Sequence, residues 1–170
     1  KNKFCIIGCG RLGVCLSVFL SDQGFTPASF FSKSPDSAKH AAAMAGQGIV
    51  YGDAVAAARS CDLVFITTPD AQIGHVCDKI ATKGGFTEDS VVFHLSGALS
   101  SDVLKAAQKA GSAIGSIHPL QAFAPYARGQ NSPFLGINIS LEGADRAVVL
   151  GRKIVDALGA NSFTIPTQAK

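Results

Sequence analysis

Short apolar runs and amphipathic stretches alternate along the whole chain, with turn residues between them. Phe4–Ile7 is uninterruptedly apolar, the pattern of a strand covered on both faces. Leu12, Leu16, Phe19 and Leu20 then recur at helical spacing until Gly24 ends the pattern. Pro27 opens a second strand, Ala28–Phe31. Ser34 and Pro35 read as the N-cap and first residue of a helix that Ala41–Ala45 carries to Gly46. Ile49–Tyr51 is a short third strand, Asp53–Arg59 an alanine-rich helix, and Leu63–Thr67 a fully apolar fourth strand. Thr68-Pro69-Asp70 breaks that strand and starts a helix with Ile73, Val76, Cys77 and Ile80 on one face. Ser90–His94 is the fifth strand. Ser100 or Ser101 caps a helix from Asp102 to Ala110, which Gly111 ends. Ala113–Ile117 is the sixth strand, stopped by His118-Pro119. A polar loop follows from about Gln121 to Leu135, then a strand (Gly136–Leu141), a helix (Ala144–Leu158) and a last strand (Ser162–Ile165).

Strands alternating with helices predict an α/β protein with a doubly wound, mainly parallel sheet, right-handed crossovers and three layers. Residues 1–166 read as one domain. Residues 167–170, just after a strand, read as the start of a further segment.

Composition narrows the classes. The 170 residues, 47% hydrophobic and 16% charged, describe a compact globular chain with a sizeable core. The longest apolar runs are strand-length, and no basic region followed by an apolar one opens the chain, so neither a membrane span nor a secretory signal is expected. A net charge of +3 with scattered Lys and Arg argues against nucleic acid. Cys5, Cys9, Cys15, Cys61 and Cys77 are odd in number and contain no C-x-x-C pair, so they read as inert, buried thiols of a cytoplasmic protein. No spacing of His and carboxylates suggests a metal site. Neither G-x-S-x-G nor a phosphate loop ending in Gly-Lys-Ser/Thr occurs, which removes hydrolase and nucleotide-kinase readings.

Candidate chemistry begins at Gly8-Cys9-Gly10-Arg11-Leu12-Gly13, between the first strand and the first helix. There Gly8 permits the tight turn, Gly10 lets a pyrophosphate approach the backbone, and Gly13 lets the helix pack against the strand. The helix N-terminus offers unpaired N–H groups and a partial positive charge to the phosphates. This is the turn of a Rossmann-type dinucleotide site. At the end of the second strand, where NAD-binding folds put an acid on the ribose, stand Ser32, Lys33 and Ser34, which favours NADP over NAD. Thr67, Thr68 and Pro69 end the fourth strand on the edge that faces the ligand and are expected to line ribose and nicotinamide. Ser96 and His118 end the next two strands on the same edge. An imidazole there suits proton transfer to or from a hydroxyl while hydride moves, with Ser96 orienting it or the substrate. His94 reads as a strand residue, and His40 and His75 as solvated.

These pieces, together with Asp62–Asp70, His94-Leu95-Ser96-Gly97 and Ser116–Phe123, resemble the N-terminal half of a poorly characterised group of bacterial NADP-dependent oxidoreductases, whose Rossmann-like domain precedes a helical domain of unknown function. That group is similar to pyrroline-carboxylate reductases, ketopantoate reductases, deazaflavin-dependent NADP reductases and prephenate dehydrogenases. The resemblance to the last implies a catalytic role for His118 and a substrate contact for Ser96. Leu120–Phe123 departs from the prephenate pattern and speaks against prephenate itself. The resemblance further implies hydride transfer between NADP and a small carbonyl, imine or hydroxy substrate, and a homodimer formed through a helical domain beyond Lys170. The alternative is a non-catalytic dinucleotide-binding sensor or scaffold.

Overall fold

Eight strands form one sheet in the order β3-β2-β1-β4-β5-β6-β7-β8 in a computed structural model, which describes residues 3–170. In chain order the elements are β1 (Lys3–Ile7), α1 (Arg11–Asp22), β2 (Thr26–Phe31), α2 (Pro35–Ala45), β3 (Ile49–Val50), α3 (Ala54–Ala58), β4 (Leu63–Ile66), α4 (Asp70–Thr82) and β5 (Val91–His94). A 3-10 turn (Ser101–Leu104), α5 (Lys105–Lys109), β6 (Ala113–Pro119), β7 (Asn138–Gly143), α6 (Asp145–Ala157), β8 (Asn161–Thr164) and a 3-10 turn (Thr167–Ala169) complete it. Strands β1 to β6 are parallel, and β7 pairs with β8 in the same sense. The order reverses between β1 and β4, the switch point where ligands bind in sheets of this type.

The central strands are apolar on both faces because both faces are covered. Phe4, Ile6, Phe65 and Phe93 pack under α1 and α6, and Phe65 stacks on Phe93 with ring centroids 5.8 Å apart. Cys5, Ile7, Val64, Ile66 and Val92 face α3, α4 and α5.

Five expectations change. First, β7 runs antiparallel to β6, because the connection 120–137 holds no helix to carry the chain back across the sheet. That loop instead folds Phe123, Tyr126 and Phe134 toward α1, with Tyr126 and Phe134 edge-on to Phe19. Second, β6 continues through His118 and Pro119. Leu120 donates to the Asn138 carbonyl on the β7 side, so the missing N–H of Pro119 faces the other side, where β5 has already ended at His94. Third, the helix expected at 102–110 splits into the 3-10 turn and α5, and Ser101 leaves its capping role to bind Glu142. Fourth, β2 includes Thr26 and Pro27, with a register shift between Phe4 and Cys5 opposite Pro27. The last two strands are also displaced, to Asn138–Gly143 and Asn161–Thr164. No helix among the described residues is long and apolar enough to cross a membrane.

Candidate functional site

The turn between β1 and α1 is built by close packing. Gly8 has φ +104°, and a Cβ there would stand 2.7 Å from the Thr68 nitrogen. A Cβ at Gly13 would meet the Gly8 carbonyl at 2.5 Å and Thr67 Oγ1 at 2.9 Å. Both glycines press the turn against the end of β4, and Thr67 Oγ1 donates to the Gly8 carbonyl at 2.5 Å. Gly10 is the opposite case: nothing lies within 4 Å of where its Cβ would be. It opens onto space, as a residue passed closely by a ligand should. Gly10 is also the N-cap of α1, gives no side-chain cap, and is followed by no acid in the first turn. The helix therefore presents its N–H groups and positive end without competition.

A cleft of about 520 Å³ opens on these groups. It is lined by Gly8, Cys9, Gly10, Arg11 and Leu12, by Phe31, Ser32, Lys33 and Ser37 at the end of β2, and by Thr67, Thr68, Pro69, Gln72 and Val76 beyond β4. Gly13 sits behind it as a spacer. Ser34 does not line it: its hydroxyl accepts from the Ser37 N–H at 3.3 Å as the cap of α2. Ser37 occupies the lining on the same first turn. Thr68 Oγ1 is buried without a hydrogen-bond partner, an unsatisfied polar atom in the wall of the cleft.

Cys9 is buried and donates to the Phe31 carbonyl at 3.6 Å, and burial pushes its thiol up to about 12. Burial likewise raises Cys5, Cys15, Cys61 and Cys77, so none of the five is a thiolate near neutrality.

A second cleft, at the opposite edge of the sheet, is lined by Lys3, Arg59, Asp62, Asp89 and Arg146 among others. Its guanidinium groups are engaged by backbone carbonyls: Arg59 by Gly84, and Arg146 by Glu88 and Ser90.

Ser96 and His118 come together at the ends of β5 and β6, outside the lining of the first cleft. His118 Nδ1 lies 3.2 Å from the Leu95 carbonyl, which fixes a proton on Nδ1 and leaves Nε2 as the lone-pair nitrogen of the neutral ring. The ring lies against Gly97, where any Cβ would collide with it. Ser96 Oγ accepts from the Ala98 N–H at 3.2 Å, and the Ser96 N–H donates to His94 Nδ1 at 3.1 Å.

His94 is more than a strand residue. It is fully buried, its Nε2 has no partner within hydrogen-bond distance, and its pKa is lowered from 6.5 to about 4, first by burial and then by Lys170. It belongs to a row across the sheet, Ile66–His94–Ser116–Glu142, whose members pair strand by strand. Glu142 was not singled out in the sequence, although Ser140 and Glu142 alternating with Ile139 and Leu141 mark a polar face on β7. His40 and His75 are exposed on α2 and α4, as expected.

The glycine turn, the uncapped α1 and the reversal of strand order between β1 and β4 define the class, and a family model described as a Rossmann-like domain matches residues 1–119. The chain belongs to the Rossmann-like domain family. No curated protein matches the sequence significantly. Solved structures do. A Bacteroides fragilis protein assigned as an NADP oxidoreductase superposes with a TM-score of 0.83 at 18% identity, over 99% of this chain and 61% of its own. Prephenate dehydrogenase from Aquifex aeolicus, with hydroxyphenyl propionate and NAD+, gives 0.79 at 14%, over 99% and 61%. A pyrroline-5-carboxylate reductase from Coxiella burnetii gives 0.75 at 18%, over 97% and 58%. At these identities the likeness is one of fold. This Rossmann-like chain spans about three fifths of the length of those structures.

Proposed function

We propose that this Rossmann-like domain binds NADP and serves an oxidoreductase that moves hydride between the nicotinamide and a small carbonyl, imine or hydroxy substrate. The observation that carries the reading is the cleft over the glycine turn. It combines a helix end without acid or cap, an open Gly10, an unpartnered Thr68 hydroxyl, and no carboxylate in its lining.

The residues fit a dinucleotide. Gly8 to Leu12 and the α1 N–H groups would hold the pyrophosphate, Arg11 would add charge, and Ser32, Lys33 and Ser37 would hold the 2′-phosphate. Thr67, Thr68 and Pro69 would contact ribose and nicotinamide. When bound, the nicotinamide supplies or accepts the hydride. The chain's part is proton handling and orientation. His118, held through Nδ1 by the Leu95 carbonyl, has Nε2 as its proton-accepting atom toward a substrate hydroxyl, and gives the proton back in the reverse direction. Ser96 would orient the substrate.

Calorimetric titration with NADP and NAD tests the first part. The chain is expected to bind NADP at least about tenfold more tightly, a preference that a Ser32→Ala/Lys33→Ala variant loses. Unchanged selectivity in that variant removes the 2′-phosphate assignment. Ser34 is left in place because it caps α2.

One observation favours a second reading, a non-catalytic dinucleotide sensor: neither His118 nor Ser96 lines the cleft. The sensor reading expects His118→Ala to change nothing measurable. The oxidoreductase reading expects it to abolish NADPH-dependent turnover while leaving cofactor affinity intact.

A further inference from the structure

The strand β6 runs on beyond its last pair with β5, His94 to Ser116, and carries His118 one side-chain step further along the same face of the sheet. Where β5 stops, the chain turns, and the peptide group joining Leu95 to Ser96 links the two imidazoles. At one end the Ser96 N–H donates to His94 Nδ1 at 3.1 Å. At the other the Leu95 carbonyl accepts from His118 Nδ1 at 3.2 Å. This N–H and this carbonyl belong to one planar, conjugated amide.

That amide dictates the state of both rings. A backbone N–H only donates, so His94 holds a lone pair on Nδ1 and its proton on Nε2, the side on which the Ser100 carbonyl acts. A carbonyl only accepts, so His118 holds its proton on Nδ1 and its lone pair on Nε2. Water does not compete: Leu95 and Ser96 are 6% and 7% exposed, and His94 is sealed. Burial also keeps His94 neutral, so its lone pair stays available. The amide cannot swing away, because Ser96 Oγ accepts the Ala98 N–H at 3.2 Å and Gly97 lies against the His118 ring.

Hydrogen bonds in such a chain strengthen one another by about 10–30% each. An amide that donates to His94 is a better acceptor for His118, and a ring held through Nδ1–H has a more basic Nε2. We infer that His94 is a positioning residue for His118: acting through the Leu95–Ser96 peptide group, it sets the tautomer of the His118 ring and keeps Nε2 free to take a proton. The catalytic consequence rests on the hydride-transfer reading. The coupling of the two rings does not.

Long-range proton–nitrogen NMR spectra of the imidazoles, recorded on the chain without ligand at neutral pH, test this directly. The unaltered chain is expected to show His94 protonated on Nε2 and His118 on Nδ1. His94→Asn, whose Oδ1 can stand where Nδ1 stands, keeps the Nδ1–H form of His118. His94→Leu, which fills the space without an acceptor, loses that bias and leaves a mixture of the two forms. His118 protonated on Nε2 in the unaltered chain overturns the assignment, as does an Nδ1–H form undiminished in His94→Leu. Should His94→Leu not fold, His118→Phe reads the coupling from the other end. The Ser96 amide proton then moves upfield as its bond to His94 weakens, and an unmoved resonance overturns the assignment. These spectra need neither cofactor nor substrate. Failure of NADP to bind, or of His118→Ala to change turnover, overturns the hydride-transfer reading instead.

Discussion

His94 shows how much one buried side chain sets. Burial and the Lys170 charge hold its pKa at about 4, against 6.5 in an unfolded chain, with the Ser100 carbonyl and Asp70 opposing. Between these values the unfolded state binds the proton and the folded state does not. Stability therefore falls as pH drops from 6.5 toward 4, by about 3 kcal/mol in full, and is retained at neutral pH. Urea unfolding at pH 7 and at pH 4.5 measures this, and His94→Gln is expected to flatten the dependence. A wild-type chain equally stable at both pH values contradicts the burial argument. Gly97 is a second single-residue constraint. A methyl group there collides with the His118 ring. On the proposed hydride-transfer reading, Gly97→Ala is expected to lower turnover by about 100-fold through a misplaced imidazole, with cofactor affinity unchanged. The placement of His118 and Ser96 at strand ends was readable from the sequence. The contact of Gly97 with His118 was not, because it joins residues from two strands.

At the scale of elements, the β1–α1 turn is where sequence and structure agree most closely, since its geometry depends on spacing within six residues. The three glycines do three different things: one takes φ +104°, one faces open space, and one lets α1 sit against Gly8 and Thr67. Gly13→Ala is expected to force α1 away from the end of β4, destabilising the chain by about 1–3 kcal/mol and weakening dinucleotide binding. Thermal melting and calorimetric titration check the two effects. Other elements read less well. The strand β6 outlasts the His-Pro pair that ought to stop it, because only one side of Pro119 has a neighbour at that level. Local breaker rules carry no information about which flank of a strand is occupied.

Across the whole molecule, Glu142 ties three distant segments together: β7 itself, the Ser101 turn 41 residues earlier, and Thr167, 25 residues later. Removing it leaves these donors unpaired and Lys170 without its counter-charge. Glu142→Ala is therefore expected to cost about 3 kcal/mol in urea unfolding, and Glu142→Gln, which keeps hydrogen-bonding atoms, clearly less. An alanine variant as stable as the parent would contradict the network. The same strand carries the main departure in topology, since β7 reverses direction and brings Glu142 opposite Ser116.

By itself the sequence determined what depends on local order along the chain: the alternation of strands and helices, the glycine turn, the absence of an acid after β2, and the polar groups waiting at strand ends. Each follows from periodicity, backbone freedom or residue chemistry within a few positions. Tertiary structure alone decided the direction of β7, the division of labour between Ser34 and Ser37, and the buried row from His94 to Glu142 under Lys170. Those features arise from pairing between segments far apart in the chain, where the choice is made by which hydrogen bonds remain to be filled once the strands are side by side.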